Sequence, residues 1–136
     1  MADIIRTSES SALALHAALL LARAPGKLTS GAIARKLGAS AAHLAKVLSR
    51  LEKAGLVRAV RGPGGGYELA RPARDITLLE VYAAVEGPPA ATRCLFRVPA
   101  CRGGGCPLGS FFRGVNRSVV NRLARTRLAD VRIPLR

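Results

Sequence analysis

Leu13, Leu15, Leu19, Leu20 and Leu21, separated mostly by alanines, make the stretch from about Ser10 to Ala24 apolar nearly all round. A helix with that pattern lacks a solvent face and must be covered on several sides. "APGK" at 24–27 ends it, because proline and glycine together break helical structure. Thr29 or Ser30 can then cap a short second helix, "GAIARKLG", which Gly38 closes. After Ser40 as the next cap, "AAHLAKVLSRLEKAG" predicts a third helix with Leu44, Val47, Leu48 and Leu51 in one apolar stripe. His43, Lys46, Arg50 and Lys53 fall largely away from that stripe, and Gly55 stops the helix.

Two helices joined by "GAS" form a helix-turn-helix, whose second helix usually enters the DNA major groove. "LVRAV" (56–60) and "YELA" (67–70) read as strands around the turn "RGPGGG". The fold class that follows is mainly α with a small β-hairpin wing, a winged helix-turn-helix. "DITLLEVYAAVEG" (75–87) predicts a further helix in which Thr77 and Glu80 form a capping box. Pro107 opens a last helix expected to run to about Asp130, with Leu108, Phe112, Val115, Val119 and Leu123 along one side. Nothing else in the chain is clearly left to cover that side, so it predicts a homodimer; packing against the first helix is the alternative. The chain therefore divides into a winged helix-turn-helix at 1–87, a cysteine-containing loop at 88–106, and a dimerisation helix with its tail at 107–136, all within one compact domain.

Charge sharpens this reading. The 136 residues carry 22 Lys and Arg against 8 Asp and Glu, a net charge of +14, which favours an anionic partner. From 35 to 61, across the predicted reading elements, seven residues are basic and one is acidic. That local concentration points to double-stranded DNA. Arginines after residue 90 lack the aromatic-rich amphipathic face of a membrane-surface helix. The first apolar run is too short to span a bilayer and lacks a basic leader, so a cytoplasmic location without membrane contact is the default. Nor is an enzyme expected: the "GPGGG" turn lacks the Lys-Ser/Thr of a phosphate-cradling loop, and no Ser/His/Asp set or paired carboxylates occur in a plausible pocket.

All three cysteines, Cys94, Cys101 and Cys106, lie in the loop before the last helix. In a reducing compartment an odd, clustered trio suits metal binding or thiol chemistry better than a disulfide framework. Thiolates are the soft ligands of iron–sulfur clusters, the intervening glycines let a loop wrap around one, and Arg93, Arg97 and Arg102 place positive charge beside the sulfurs. A disulfide-forming thiol switch and idle cysteines remain open beside that reading. Zinc fares worse, with no CxxC pair.

"RLEKAGLVRAVRGPGGGYELARP", followed by "ITLLEVYAAVEG" and the cysteine loop, resembles the Rrf2 family of bacterial transcription regulators (IscR-, NsrR-, RirA- and CymR-like proteins). The likeness covers nearly the whole chain, and "VRGPGGGY" (60–67) carries most of it. It implies a dimeric winged-helix protein that binds operator DNA, usually as a repressor. It places Ser40, Ala41, Ala42, His43 and Lys46 at the start of the recognition helix, with Arg61, Gly62 and Gly64 in a wing reaching the minor groove. Thr29 and Arg50 are further candidates for DNA contact on the same pair of helices.

Several members of the family hold an iron–sulfur cluster, 2Fe–2S or 4Fe–4S, through three cysteines here, and the cluster's state changes operator affinity. Cys94, Cys101 and Cys106 match those ligands in position, though their spacings of six and four residues are less even than is usual. Gly109 stands where some members place a histidine ligand. His16, one helical turn beyond Ala12, where others place an acidic ligand, is then the candidate fourth ligand and Glu9 a weaker one. A hydrogen-bonded core histidine is the competing reading of His16. The resulting expectation is a DNA-binding regulator whose operator affinity follows cluster or thiol state at these cysteines. A winged-helix regulator under the control of a protein partner, with idle cysteines and no cofactor, is the alternative.

Overall fold

The computed structural model describes residues 7–90, 94–96, 98, 100–101 and 105–134. Helix α1 (Glu9–Arg23) starts where the Ser8 hydroxyl accepts the Ser11 N–H. Eight of its fifteen residues are buried, among them Ala14, Ala17 and Ala18, which have almost no exposed surface. Small side chains at these positions let neighbouring helices approach closely, and α1 packs against the third and fourth helices and the C-terminal turn.

The helix-turn-helix forms as its caps dictate. Thr29 caps α2 (Ser30–Leu37), whose last turn ends on Gly38 in the left-handed conformation. Ser40 caps α3 (Ala41–Lys53), and Leu44, Val47, Leu48 and Leu51 bury its apolar stripe. Strands β1 (Val57–Val60) and β2 (Gly66–Leu69) then pair antiparallel, with Val57 opposite Leu69 and Val60 opposite Gly66. Arg58 and Glu68 face each other across the hairpin and form an ion pair at 2.7 Å. A bridge of two backbone hydrogen bonds between Leu28 and Tyr67 fastens the wing to the segment entering α2. Gly66 is required at that joint: its φ is +149°, and a Cβ there would stand 2.6 Å from the Leu28 carbonyl oxygen.

A short 3-10 turn (Ala73–Asp75) leads through buried Ile76 into α4 (Leu78–Glu86). The expected capping box is present: the Thr77 hydroxyl accepts the Glu80 N–H, and the Glu80 carboxylate accepts the Thr77 N–H at 2.8 Å. Helix α5 (Pro107–Arg125) packs on α4. It ends five residues before the Asp130 expected from the sequence, because Thr126 turns extended and the chain re-enters the core. Leu78 donates its N–H to Thr126 and Leu128 donates to Ile76, both at 2.9 Å. A second 3-10 turn (Leu128–Asp130) then buries Leu128, a burial of roughly 1.5–3 kcal/mol for a side chain of that size. The C-terminal end of α5 is thus fastened to the start of α4. Among the described residues, no helix is long and apolar enough to cross a membrane.

Partial burial pushes the Glu80 carboxyl up, but the Thr77 N–H and the Arg71 guanidinium outweigh it and hold it below its ordinary value of 4.5. A depressed carboxylate contributes stability that is present above the ordinary value and lost as pH falls through the folded one. Replacing Glu80 by Ala is expected to cost about 1 kcal/mol at neutral pH, as cap losses do. The gap between the two unfolding curves, followed by circular dichroism, should narrow as pH falls below 4.5.

Candidate DNA-binding face and thiol loop

The residues proposed to meet DNA fall into two groups. Thr29, Ser40, Ala41, Ala42, Lys46, Arg61, Gly62 and Gly64 are exposed. The Thr29 and Ser40 hydroxyls each accept one backbone N–H of their own helix, from Ala32 and His43, both at 3.1 Å. A hydroxyl used this way keeps its own hydrogen to donate, so the same atom can cap a helix and meet an anion. Between the start of α2 and the wing lies a shallow depression of about 530 Å³, lined by Thr29, Ser30, Gly62, Gly64 and Tyr67. It joins the helix-turn-helix to the glycine turn in one continuous surface.

Half-buried His43 and exposed Arg50 are instead engaged with neighbouring helices. His43 Nε2 shares a hydrogen bond with the Ser10 hydroxyl at 2.9 Å, and its Nδ1 lies 3.8 Å from the Glu9 carboxylate. Arg50 donates to the Val85 carbonyl at the end of α4, at 3.1 Å. Glu86, the last residue of α4, accepts from the hydroxyls of Ser8 and of fully buried Ser11. The Ser11 and Ser8 hydroxyls, opposed by slight desolvation and helped by the Arg50 charge, hold the Glu86 carboxyl below its ordinary range. Sequence reasoning missed this polar ring. Its one local signal is the run "SESS" (8–11) immediately before an apolar helix.

The cysteine loop runs from the end of α4 to the start of α5. Cys94 and Cys106 are half-buried, Cys101 is exposed, and all three are free thiols. Cys106 is the N-cap of α5, its sulfur accepting the Gly109 N–H at 3.4 Å. Gly109, which stands where a ligand was expected by resemblance, is buried and contributes that N–H. Arg93, Arg97 and Arg102 lie outside the described residues.

His16 is exposed, which removes the core reading of that residue, and its Nδ1 donates to the Ala12 carbonyl at 2.7 Å. A carbonyl can only accept, so Nδ1 carries a proton, and in the neutral ring Nε2 is then the nitrogen with a free lone pair. The carboxylate of Glu9, the other outside candidate, lies 3.8 Å from His43 Nδ1. Three thiols suit an iron–sulfur cluster chemically, but the described residues bring no three Cys, His, Asp or Glu side chains together as a metal site. Donor type fits a cluster; the described geometry does not assemble one.

The face of α5 beyond this loop is open. Leu108 and Phe111 are 60% and 65% exposed, and Phe112 and Val115 are also open to solvent. The other half of the stripe is partly covered: Val119 and Leu123 border a groove of about 510 Å³ with Leu15 of α1 and Tyr82 of α4.

Residues 7–132 match the Rrf2 family profile, described as iron-dependent transcriptional regulators. The chain belongs to the Rrf2 family. Over 72 residues it is 47% identical to the HTH-type transcriptional regulator IscR of Photobacterium profundum, a match spanning 53% of this chain and 41% of that protein. The structure of CymR, the global cysteine regulator of B. subtilis, superposes with a TM-score of 0.78 at 25% identity, covering 93% of this chain and 95% of that one. T. potens IscR superposes with a TM-score of 0.75 at 27% identity, covering 93% and 85%. This Rrf2 protein is therefore a winged-helix transcriptional regulator and not an enzyme.

The capping geometry allows the two roles of Ser40 to be separated. Glycine is a tolerable N-cap and alanine is not. Ser40→Ala should lower stability by about 1 kcal/mol and Ser40→Gly by only a few tenths, measured by urea unfolding. An equal loss of DNA affinity in the two variants would then report contact by the hydroxyl itself.

Proposed function

We propose that this Rrf2 regulator binds operator DNA as a homodimer, usually to repress, with an affinity set by the state of the Cys94/Cys101/Cys106 loop. One observation carries the reading. The thiol loop ends on Cys106, which caps α5 directly beside the exposed apolar positions Leu108, Phe111 and Phe112. A change at the thiols therefore acts on the foot of the helix that would join two subunits. In this reading α3 enters the major groove through Ser40, Ala41, Ala42 and Lys46, and Arg61 with Gly62 and Gly64 reaches the neighbouring minor groove. His43 and Arg50 tie α3 to α1 and α4, and exposed Arg50 and Thr29 remain candidates for contact with the DNA backbone.

The loop's chemistry would be cluster ligation or thiol oxidation. Cys94, Cys101 and Cys106 would be the protein's ligands, with Nε2 of His16 the available outside donor. Either chemistry restrains a segment that joins α4 to α5, and a shifted α5 changes the distance between two reading heads. A coupling of about 1–3 kcal/mol between loop state and DNA binding is enough to switch occupancy. Control by a protein partner is the second reading, favoured by the exposed apolar side chains Leu95, Phe96 and Val98 in the same loop.

The test uses the duplex that the wild-type chain enriches from a random double-stranded pool. Protein purified without oxygen is assayed for iron and sulfide, and its affinity for that duplex is compared with that of the triple Cys→Ala variant before and after oxidation. A difference of about fivefold or more between loop states in the wild type, absent from the variant, is the expected result. Identical behaviour of the two proteins overturns loop sensing. Separately, Phe111→Asp should convert the dimer expected by sedimentation equilibrium into a folded monomer, because it buries a charge in the contact between the two long helices.

A further inference from the structure

The polar ring around the start of α1 has no place in the DNA contact or in the thiol loop, yet it touches both ends of α3. At the N-terminal end, His43 shares a hydrogen bond with Ser10, and the Glu9 carboxylate lies nearby. Toward the C-terminal end, Arg50 donates to Val85, the residue before Glu86. Glu86 closes the circuit by accepting the hydroxyls of Ser8 and Ser11, the cap and first turn of α1. Three helices that share an apolar core are thus also joined by directional bonds. Apolar packing tolerates small slides and rotations of a helix, whereas hydrogen bonds of fixed length and angle do not.

We propose that Glu86 is a positioning residue for DNA reading: by binding the first turn of α1 beside the Arg50–Val85 contact, it sets the angle at which α3 is presented. The inference rests on the assignment of α3 as the recognition helix. Base contacts depend on helix angle much more strongly than phosphate contacts do, since base edges are fixed in the groove and long cationic side chains reorient. Loss of Glu86 should therefore reduce discrimination between sequences and leave general affinity for DNA in place. Glu86 also lies next to Gly87, where α4 gives way to the segment leading to Cys94, so it is the last residue before that segment tied to the reading head.

Glu86→Ala and Glu86→Gln are compared with the wild type on two probes: the duplex enriched from a random pool and an unrelated duplex of equal length. Both hydroxyls donate to the same carboxylate oxygen, and glutamine keeps a carbonyl oxygen able to accept them while losing the charge, so it should rescue part of the effect. The expected result is about a tenfold loss for Glu86→Ala on the enriched duplex, a smaller loss for Glu86→Gln, and less than about a twofold change for either on the unrelated one. Salt dependence on the unrelated duplex should stay that of the wild type. A purely structural role would weaken both probes in proportion to a lowered unfolding midpoint, and that outcome overturns the proposal, as does unchanged discrimination. If Glu86→Ala fails to fold, the Gln variant decides on the same criteria. Lys46→Ala, on the exposed face of α3, separates the two assignments. Unchanged binding to both duplexes in that variant would remove α3 as the reading helix, whereas weakened binding in it with no effect at Glu86 would remove only the positioning role.

Discussion

Helix α1 has almost no side to spare for water, and the rest of the molecule is arranged to satisfy that requirement. Its leucines and alanines need α3, α4 and the C-terminal turn around them at once. A helix covered this way fixes the relative placement of α3, the proposed recognition helix, and of α4, which leads into the thiol loop. Its polar start, "SESS", then falls where α3 and α4 converge, and the bonds of Ser8, Ser10 and Ser11 follow from that placement.

The elements were legible in the sequence wherever their causes are local. Thr29, Ser40 and Thr77 cap helices as their residue types and positions dictate, Gly38 takes the left-handed conformation that closes α2, and the glycine-rich turn makes the hairpin. Family membership was equally legible, because "VRGPGGGY" lies within one hairpin and its turn. The end of α5 was not. Helical periodicity continues past Arg125, and only the demand of the core for Leu128 and the bonds to residues 76–78 explain why the helix stops.

The candidate site divides along the same line. Lys46 and Arg61 stand exposed where a helical face and a wing tip would put them. His43 and Arg50 share that helix, yet their long polar side chains find partners on α1 and α4 that lie more than thirty residues away in sequence. No spacing rule within one helix can announce such partners. His16 shows the converse: a histidine among leucines suggests a core, but the helix gives it one of its few exposed positions.

The tail that returns to bury Leu128 has a consequence for how such a protein can be divided. Because the strand-like segment after α5 completes the same core that holds α1 and Ile76, the long helix is an internal span anchored at its far end. A separate output module cannot be obtained by cutting the chain before it. Under the proposed sensing, a displaced foot of α5 would pivot a rod hinged inside the core shared with α1, and α3 would inherit the torque without needing any linker to carry it.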